Sequence, residues 1–377
     1  MVSALSAALV LEDGSVFLGK GFGFPKTVVG EVVFTTGMVG YPESITDPSY
    51  QGQILCFTYP LIGNYGVPDS SIKDAWGLPL HYESDEPHVL GVIVHELCEK
   101  PSHWANVKSL HEWLYEEKVP GISGIDTRKL TKKLRVKGVM MGALEVSEGD
   151  VDVDKLFSLL EKAPKYERLD LVSEVTIKEP VVYENKGPTV VVIDCGVKYG
   201  ILRNLLRRNL TVVRVPRDYD ADKILQFDPK GILVSNGPGN PELNTRTIKT
   251  VRDLIDIGIP MMGICLGNQM IALALGASTF KMKYGHRGQN KPCVDLETGI
   301  CYVTSQNHGF AVREDTLGGT GLSVWFLNAD DMTVEGLKHR KKPVIAVQFH
   351  PEASPGPYDT EYIFDVFANM MGVDCHG

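Results

Sequence analysis

The chain has 377 residues, and at about 100 to 200 residues per domain that length predicts two or three domains. Its 38 basic and 47 acidic residues give a net charge of −9, which excludes the electrostatic footprint of a general nucleic-acid binder. With 43% hydrophobic and 23% charged residues it is neither disordered nor collagen-like.

Residues 1–11 lack the basic region of a secretion signal and run into Asp13-Gly14, so they read as a first strand turning into 15–18. This run and 259–265 are the longest apolar stretches, far short of the roughly 20 residues that span a bilayer, and no membrane helix is expected. Residues 30–34, 53–58 and 89–94 read as strands. Apolar spacing predicts a helix over 103–118, and Asp126-Thr127 caps another that runs to Lys137 before Gly138. This first half, 1–150, is thus a β-rich α+β domain. Residues 151–188, Lys-, Glu- and Pro-rich toward their end, are expected to be a linker.

From residue 189 the pattern changes. TVVVID at 189–194 reads as a strand buried on both faces, followed by helical character over 201–208. Strands at 210–215, 231–235 and 260–265, with a helix over 245–257, predict a doubly wound, mostly parallel sheet for 189–377. Seven cysteines, odd in number and without a C-x-x-C pair, argue against a disulfide framework and for a reducing compartment, with the cytoplasm as default. No helical segment carries two histidines at i,i+4, so no metal site is expected.

The segment Gly263-Ile264-Cys265-Leu266-Gly267-Asn268-Gln269 joins an apolar strand directly to a helix that closes at Gly276. Flanking glycines permit a tight turn that holds the thiol at the carboxyl end of the sheet, the logic of a nucleophile elbow. The helix N-terminus favours thiolate, and the Leu266 N–H points where an oxyanion forms. Cys195 also ends a strand but lacks the small residue two positions earlier. His350 ends a strand over 344–349 and is followed by Pro351-Glu352. Residues two apart in an extended segment share a side, so Glu352 can hold one ring nitrogen while the other serves Cys265. His308, in Gln306-Asn307-His308-Gly309-Phe310, has no adjacent carboxylate and reads as structural or as part of a binding loop. Ser235-Asn236-Gly237-Pro238-Gly239 closes another strand of the sheet, where glycines let backbone amides approach a ligand. Neither a dinucleotide nor an ATP phosphate motif is present, which places any ATP chemistry on another polypeptide.

The cysteine elbow, Asn236-Gly237-Pro238-Gly239 and His350-Pro351-Glu352 resemble the signature of class I glutamine amidotransferases. Five N-terminal segments, 31–34, 36–41, 46–50, 58–64 and 124–128, narrow the resemblance to the small-subunit family of carbamoyl phosphate synthetases, and it spans nearly the whole chain. The resemblance implies a Cys265–His350–Glu352 triad that hydrolyses glutamine to glutamate and ammonia, with Gly237 and Leu266 amides as oxyanion donors. It implies glutamine contacts from Ser49, Gly237, Gly239, Leu266, Gln269, Asn307, Gly309 and Phe310. It further implies a large synthetase subunit as partner, which holds ATP and Mg²⁺ and makes carbamoyl phosphate for arginine or pyrimidine synthesis, with no cofactor on this chain. Three positions depart from the family's usual residues: Asn268 replaces a common histidine, Asn240 an aspartate and Tyr358 a histidine.

Overall fold

The computed structural model describes residues 5–373, and the chain divides into two compact units between Leu169 and Asp170. In the first unit, β1 (Ser6–Leu11) and β2 (Val16–Gly23) form the expected hairpin, whose turn places Gly14 at φ 83°. Residues 1–4 of the expected first strand lie outside the described residues. The strands β3 (Thr27–Thr35), β4 (Gln53–Phe57), β5 (Leu61–Ile62), β6 (Gly91–Ile93), β7 (Glu96–Leu97), β8 (Pro120–Ser123) and β9 (Met140–Ser147) follow. Seven of them close into a barrel in the order β1-β2-β8-β6-β4-β3-β9, which leaves that sheet no open edge; β5 and β7 pair separately.

The helix Thr127–Lys137 matches its sequence signals: Asp126 accepts the Lys129 N–H at 2.8 Å and Gly138 ends it at φ 102°. The helix expected over 103–118 forms only as Leu110–Glu116. Ser109 and Glu112 make a reciprocal capping box that starts it there, while Trp104 is 89% exposed, so its apolar spacing did not mark a buried face. The stretch 151–188, expected to be a linker, is structured. It begins as the helix Val153–Lys162, capped by Asp152, which buries Leu156 and Leu160 and packs against β1 and β9. The i,i+4 pair Leu156 and Leu160 marks the face it buries.

The second unit is a ten-stranded sheet flanked by helices. Its strands are β10 (Val181–Tyr183), β11 (Thr189–Asp194), β12 (Thr211–Pro216), β13 (Gly231–Val234), β14 (Met261–Ile264), β15 (Thr279–Asp295), β16 (Cys301–Val312), β17 (Leu322–Asn328), β18 (Val334–His339) and β19 (Val344–Val347), in the order β10-β12-β11-β13-β14-β19-β18-β17-β15-β16. The ladders joining β12, β11, β13, β14 and β19 are parallel, as the β-branched runs predict. β18, β17, β15 and β16 extend that half antiparallel, an extension the sequence reading did not foresee.

Val191, Ile193, Ile232 and Val234 share a core cluster with Val251 and Leu254 of the helix Thr245–Ile257 and with Met270 and Ile271 of the helix Leu266–Ala274. At Gly231 an added Cβ would lie 2.2 Å from Met371 Sδ and 2.9 Å from Phe367 of the helix Tyr362–Met370, so that helix packs closely over β13. β13, β14 and β19 run parallel, and their carboxyl ends lead into Gly237, Cys265 and His350 respectively, the edge where open α/β sheets bind ligands. No described helix is long and apolar enough to cross a membrane.

Candidate active site

Cys265 is the single residue between β14 and the helix Leu266–Ala274, and it holds φ 54°, ψ −102°, a conformation that costs an L-residue about 1–3 kcal/mol. Close packing fixes the glycines around it. A Cβ on Gly267 would sit 2.0 Å from the Val234 carbonyl oxygen, and one on Gly263 would sit 2.7 Å from Gly267 backbone. The Cys265 N–H donates to the Val347 carbonyl at 2.8 Å, which ties the elbow to β19. Its Sγ lies 3.6 Å from the Asn307 carbonyl oxygen and 3.6 Å from Gln348 Nε2.

His350 is buried, and its N–H donates to the Ser305 carbonyl at 2.8 Å. Its Nδ1 meets Glu352 Oε1 at 2.6 Å. The two reach each other through a turn rather than along an extended strand: the Ala353 N–H returns to the His350 carbonyl at 3.1 Å, and Ala353 adopts φ 57°. Burial opposes charging the imidazole most strongly and Lys198 adds to that, but the Glu352 carboxylate and Cys265 together outweigh them and raise the ring's pKa. Nε2 makes no hydrogen bond of ordinary geometry, so the Cys265 contribution acts over a longer separation. Burial also opposes the Glu352 charge, yet Lys198 and His350 together hold that carboxyl below its usual range.

Lys198 is a residue that sequence reasoning missed. It is 3% exposed, and its Nζ lies 3.1 Å from Glu352 Oε1 and 3.1 Å from the Ala353 carbonyl oxygen. Its own N–H donates to Asn236 Oδ1 at 3.1 Å, which joins the Gly237 loop to the triad's carboxylate. A lysine just before a helix carries no local signal of this role, because Glu352 is far away in sequence.

Gly237 packs so tightly that a Cβ would lie 2.0 Å from the Cys195 carbonyl oxygen and 2.8 Å from Leu266 Cδ2. Cys195, the rival nucleophile, is thus a wall of the site: it is fully buried, its N–H donates to Ser235 Oγ at 2.9 Å, and burial pushes its thiol pKa up. Leu266 opens the helix, where the first N–H groups have no intrahelical acceptor. Gly239 sits at φ 85°. Gln269 Nε2 donates to the Phe310 carbonyl at 2.8 Å, and His308 Nδ1 reaches the same oxygen at 2.9 Å. The segment of Asn307, His308, Gly309 and Phe310 therefore lies against the nucleophile's helix as part of β16. Ser49 belongs to the first unit, in a buried turn where Asp47 accepts its N–H at 2.9 Å; its assignment rests on the family motif.

The three departures sit quietly. Asn268 is buried and donates to Gln348 Oε1 at 3.2 Å, Asn240 caps Glu242 at 3.1 Å, and Tyr358 is exposed. His286, His308 and Glu335 bring three metal-capable atoms together, a grouping the sequence did not anticipate. Both His286 nitrogens are engaged by carboxylates, the buried Glu335 at 3.1 Å and the exposed Asp331 at 3.0 Å, as in an ion-pair cluster.

Comparisons with known proteins give the chain's family. The family model for the carbamoyl-phosphate synthase small chain, CPSase domain, matches residues 9–144, and that for class I glutamine amidotransferase matches residues 191–370. A carbamoyl phosphate synthase small chain of Pyrococcus furiosus is 51% identical over 96% of this chain and 97% of its own length. Those of Sulfolobus acidocaldarius and Archaeoglobus fulgidus are each 48% identical, over 96% and 97% of this chain and 95% and 99% of theirs. The chain belongs to the carbamoyl phosphate synthase small chain family and carries a class I glutamine amidotransferase domain.

Proposed function

We propose that Cys265, His350 and Glu352 hydrolyse glutamine through a thioester, and that the ammonia passes to a large synthetase subunit. The observation that carries this reading is the strained Cys265 elbow in one buried site with a histidine whose Nδ1 is held by Glu352 at 2.6 Å. The Cys265 thiolate attacks the carboxamide carbon, and the carbonyl electron pair moves onto oxygen. Backbone N–H groups of Gly237 and Leu266 receive that oxyanion, and one such donor is worth roughly 10² to 10³ in rate. The imidazolium of His350 gives its proton to the departing nitrogen as the C–N bond breaks, which leaves a thioester and ammonia. His350 then takes a proton from water, whose oxygen attacks the thioester; glutamate leaves and the thiolate returns.

Gly239, Gln269, Asn307, Gly309 and Phe310 surround the same helix and strand and are the proposed glutamine contacts, with Ser49 added from the motif. The ATP- and Mg²⁺-dependent joining of ammonia to bicarbonate is assigned to the large subunit, and no cofactor is assigned to this chain. Acid-quenched turnover followed by mass spectrometry tests the chemistry. A glutamyl adduct is expected on the peptide bearing Cys265 and is expected to be absent in Cys265→Ser. An adduct on another residue, or hydrolysis that persists in Cys265→Ser, overturns the reading.

A further inference from the structure

Beneath the nucleophile lies a chain of amides whose donor direction is fixed from one end. The Phe310 backbone carbonyl can only accept, so the Gln269 atom 2.8 Å from it is its NH₂ nitrogen. That same nitrogen lies 3.1 Å from the Gln348 side chain, which must therefore present its oxygen; Asn268 Nδ2 donates to the same oxygen at 3.2 Å. With its oxygen committed to two donors, the Gln348 amide has only N–H groups left for its other side. There Nε2 lies 3.6 Å from Cys265 Sγ, an ordinary length for a hydrogen bond to sulfur. Gln348 itself is 0% exposed, one residue beyond β19, and its N–H donates to the Glu335 carbonyl at 2.8 Å. No mobile side chain or solvent exposure blurs the orientation.

We propose that Gln348 is a further catalytic residue: its side-chain N–H stabilises the Cys265 thiolate from beneath the elbow, with Asn268 and Gln269 acting as positioning residues that fix the amide's direction. The inference rests on Cys265 being the nucleophile. It gives Asn268 a function as it stands, because this asparagine supplies one of the two donors that orient Gln348. It also gives Gln269 a second role, since its nitrogen is spent inside the protein and only its oxygen remains for a substrate. The ionisable groups of the segments packed against the elbow are His350, backed by Glu352 and Lys198, and His308 of β16. Burial and the neighbouring charge of His286 hold the His308 ring neutral, so it adds no competing cation. The remaining partner of the sulfur is the Asn307 carbonyl, which favours the thiol rather than the thiolate. Gln348 is the neutral group that opposes it.

The test is an ultraviolet titration of the Cys265 thiolate, taken as the difference between the chain and its Cys265→Ser counterpart, with and without Gln348→Met. Hydrogen bonds to charged groups are worth about 1.5–3 kcal/mol, so the midpoint is expected to move up by about one to two pH units in Gln348→Met. A folded Gln348→Met chain with an unmoved midpoint overturns the proposal. Should that variant fail to fold, the native chain decides: with ¹⁵N-labelled glutamine side chains, one amide proton is expected to shift with the thiol titration and to stop doing so in Cys265→Ser. No responding amide overturns the proposal equally. Failure of the nucleophile assignment shows separately, as the missing Cys265 adduct.

Discussion

His350 is set between neighbours that act on its charge in opposite senses. Glu352 favours the imidazolium and Lys198 disfavours it, so the two substitutions should displace the pH profile of glutamine hydrolysis in opposite directions. Removing the carboxylate in Glu352→Gln lowers the ring's pKa. The acid form is then lost sooner as pH rises, and the alkaline limb moves down toward the ordinary histidine value of about 6.5. Removing the ammonium in Lys198→Met leaves Glu352 unopposed, and the limb moves up. Loss of a charged hydrogen bond predicts a fall of about 10- to 100-fold in kcat for Glu352→Gln. Rate profiles of the two variants check this, and limbs that move together would refute the assigned roles. Sequence made Cys265, His350 and Glu352 legible because each sits in a short local motif. Lys198 and Gln348 were not, because what defines them is a partner distant in the chain: Glu352 for one, the elbow sulfur for the other.

At the scale of elements, the elbow depends on how closely the helix Leu266–Ala274 approaches β13. Gly267→Ala would drive a Cβ to 2.0 Å from the Val234 oxygen. Such overpacking costs about 1–3 kcal/mol, so a lowered melting temperature is expected together with loss of glutamine hydrolysis, because the helix that presents Cys265 must shift. An unchanged melting temperature would show that the contact relaxes freely. The parallel strands were readable because burial on both faces leaves unbroken β-branched runs such as 189–194. The antiparallel half was not readable. β15 pairs with β16 through register shifts between Lys281 and His286 and between Gly288 and Lys291, which break the two-residue alternation that marks a half-buried strand. The apparent linker hid a helix whose fully buried face is only two leucines wide, set among the partly exposed Val153, Phe157 and Leu159.

Over the whole molecule, burial sorts the described cysteines. The described cysteines are all free, and they differ sharply in environment: Cys301 is exposed, whereas Cys56, Cys195 and Cys293 are buried with thiol pKa values raised by that burial, Cys56 to about 12. Alkylation of the native chain at mildly alkaline pH is therefore expected to modify Cys301 and spare Cys56, Cys195 and Cys293 until denaturant is added; peptide mapping checks this. The proposed division of labour gives ammonia release to this chain and the use of ATP to a larger partner. The most direct measurement is carbamoyl phosphate synthesis by the complex with a large synthetase subunit, supplied with either glutamine or ammonia, for the native chain and Cys265→Ser. The account predicts that the substitution abolishes glutamine-dependent synthesis and leaves ammonia-dependent synthesis intact; loss of both to the same degree, or of neither, would contradict it.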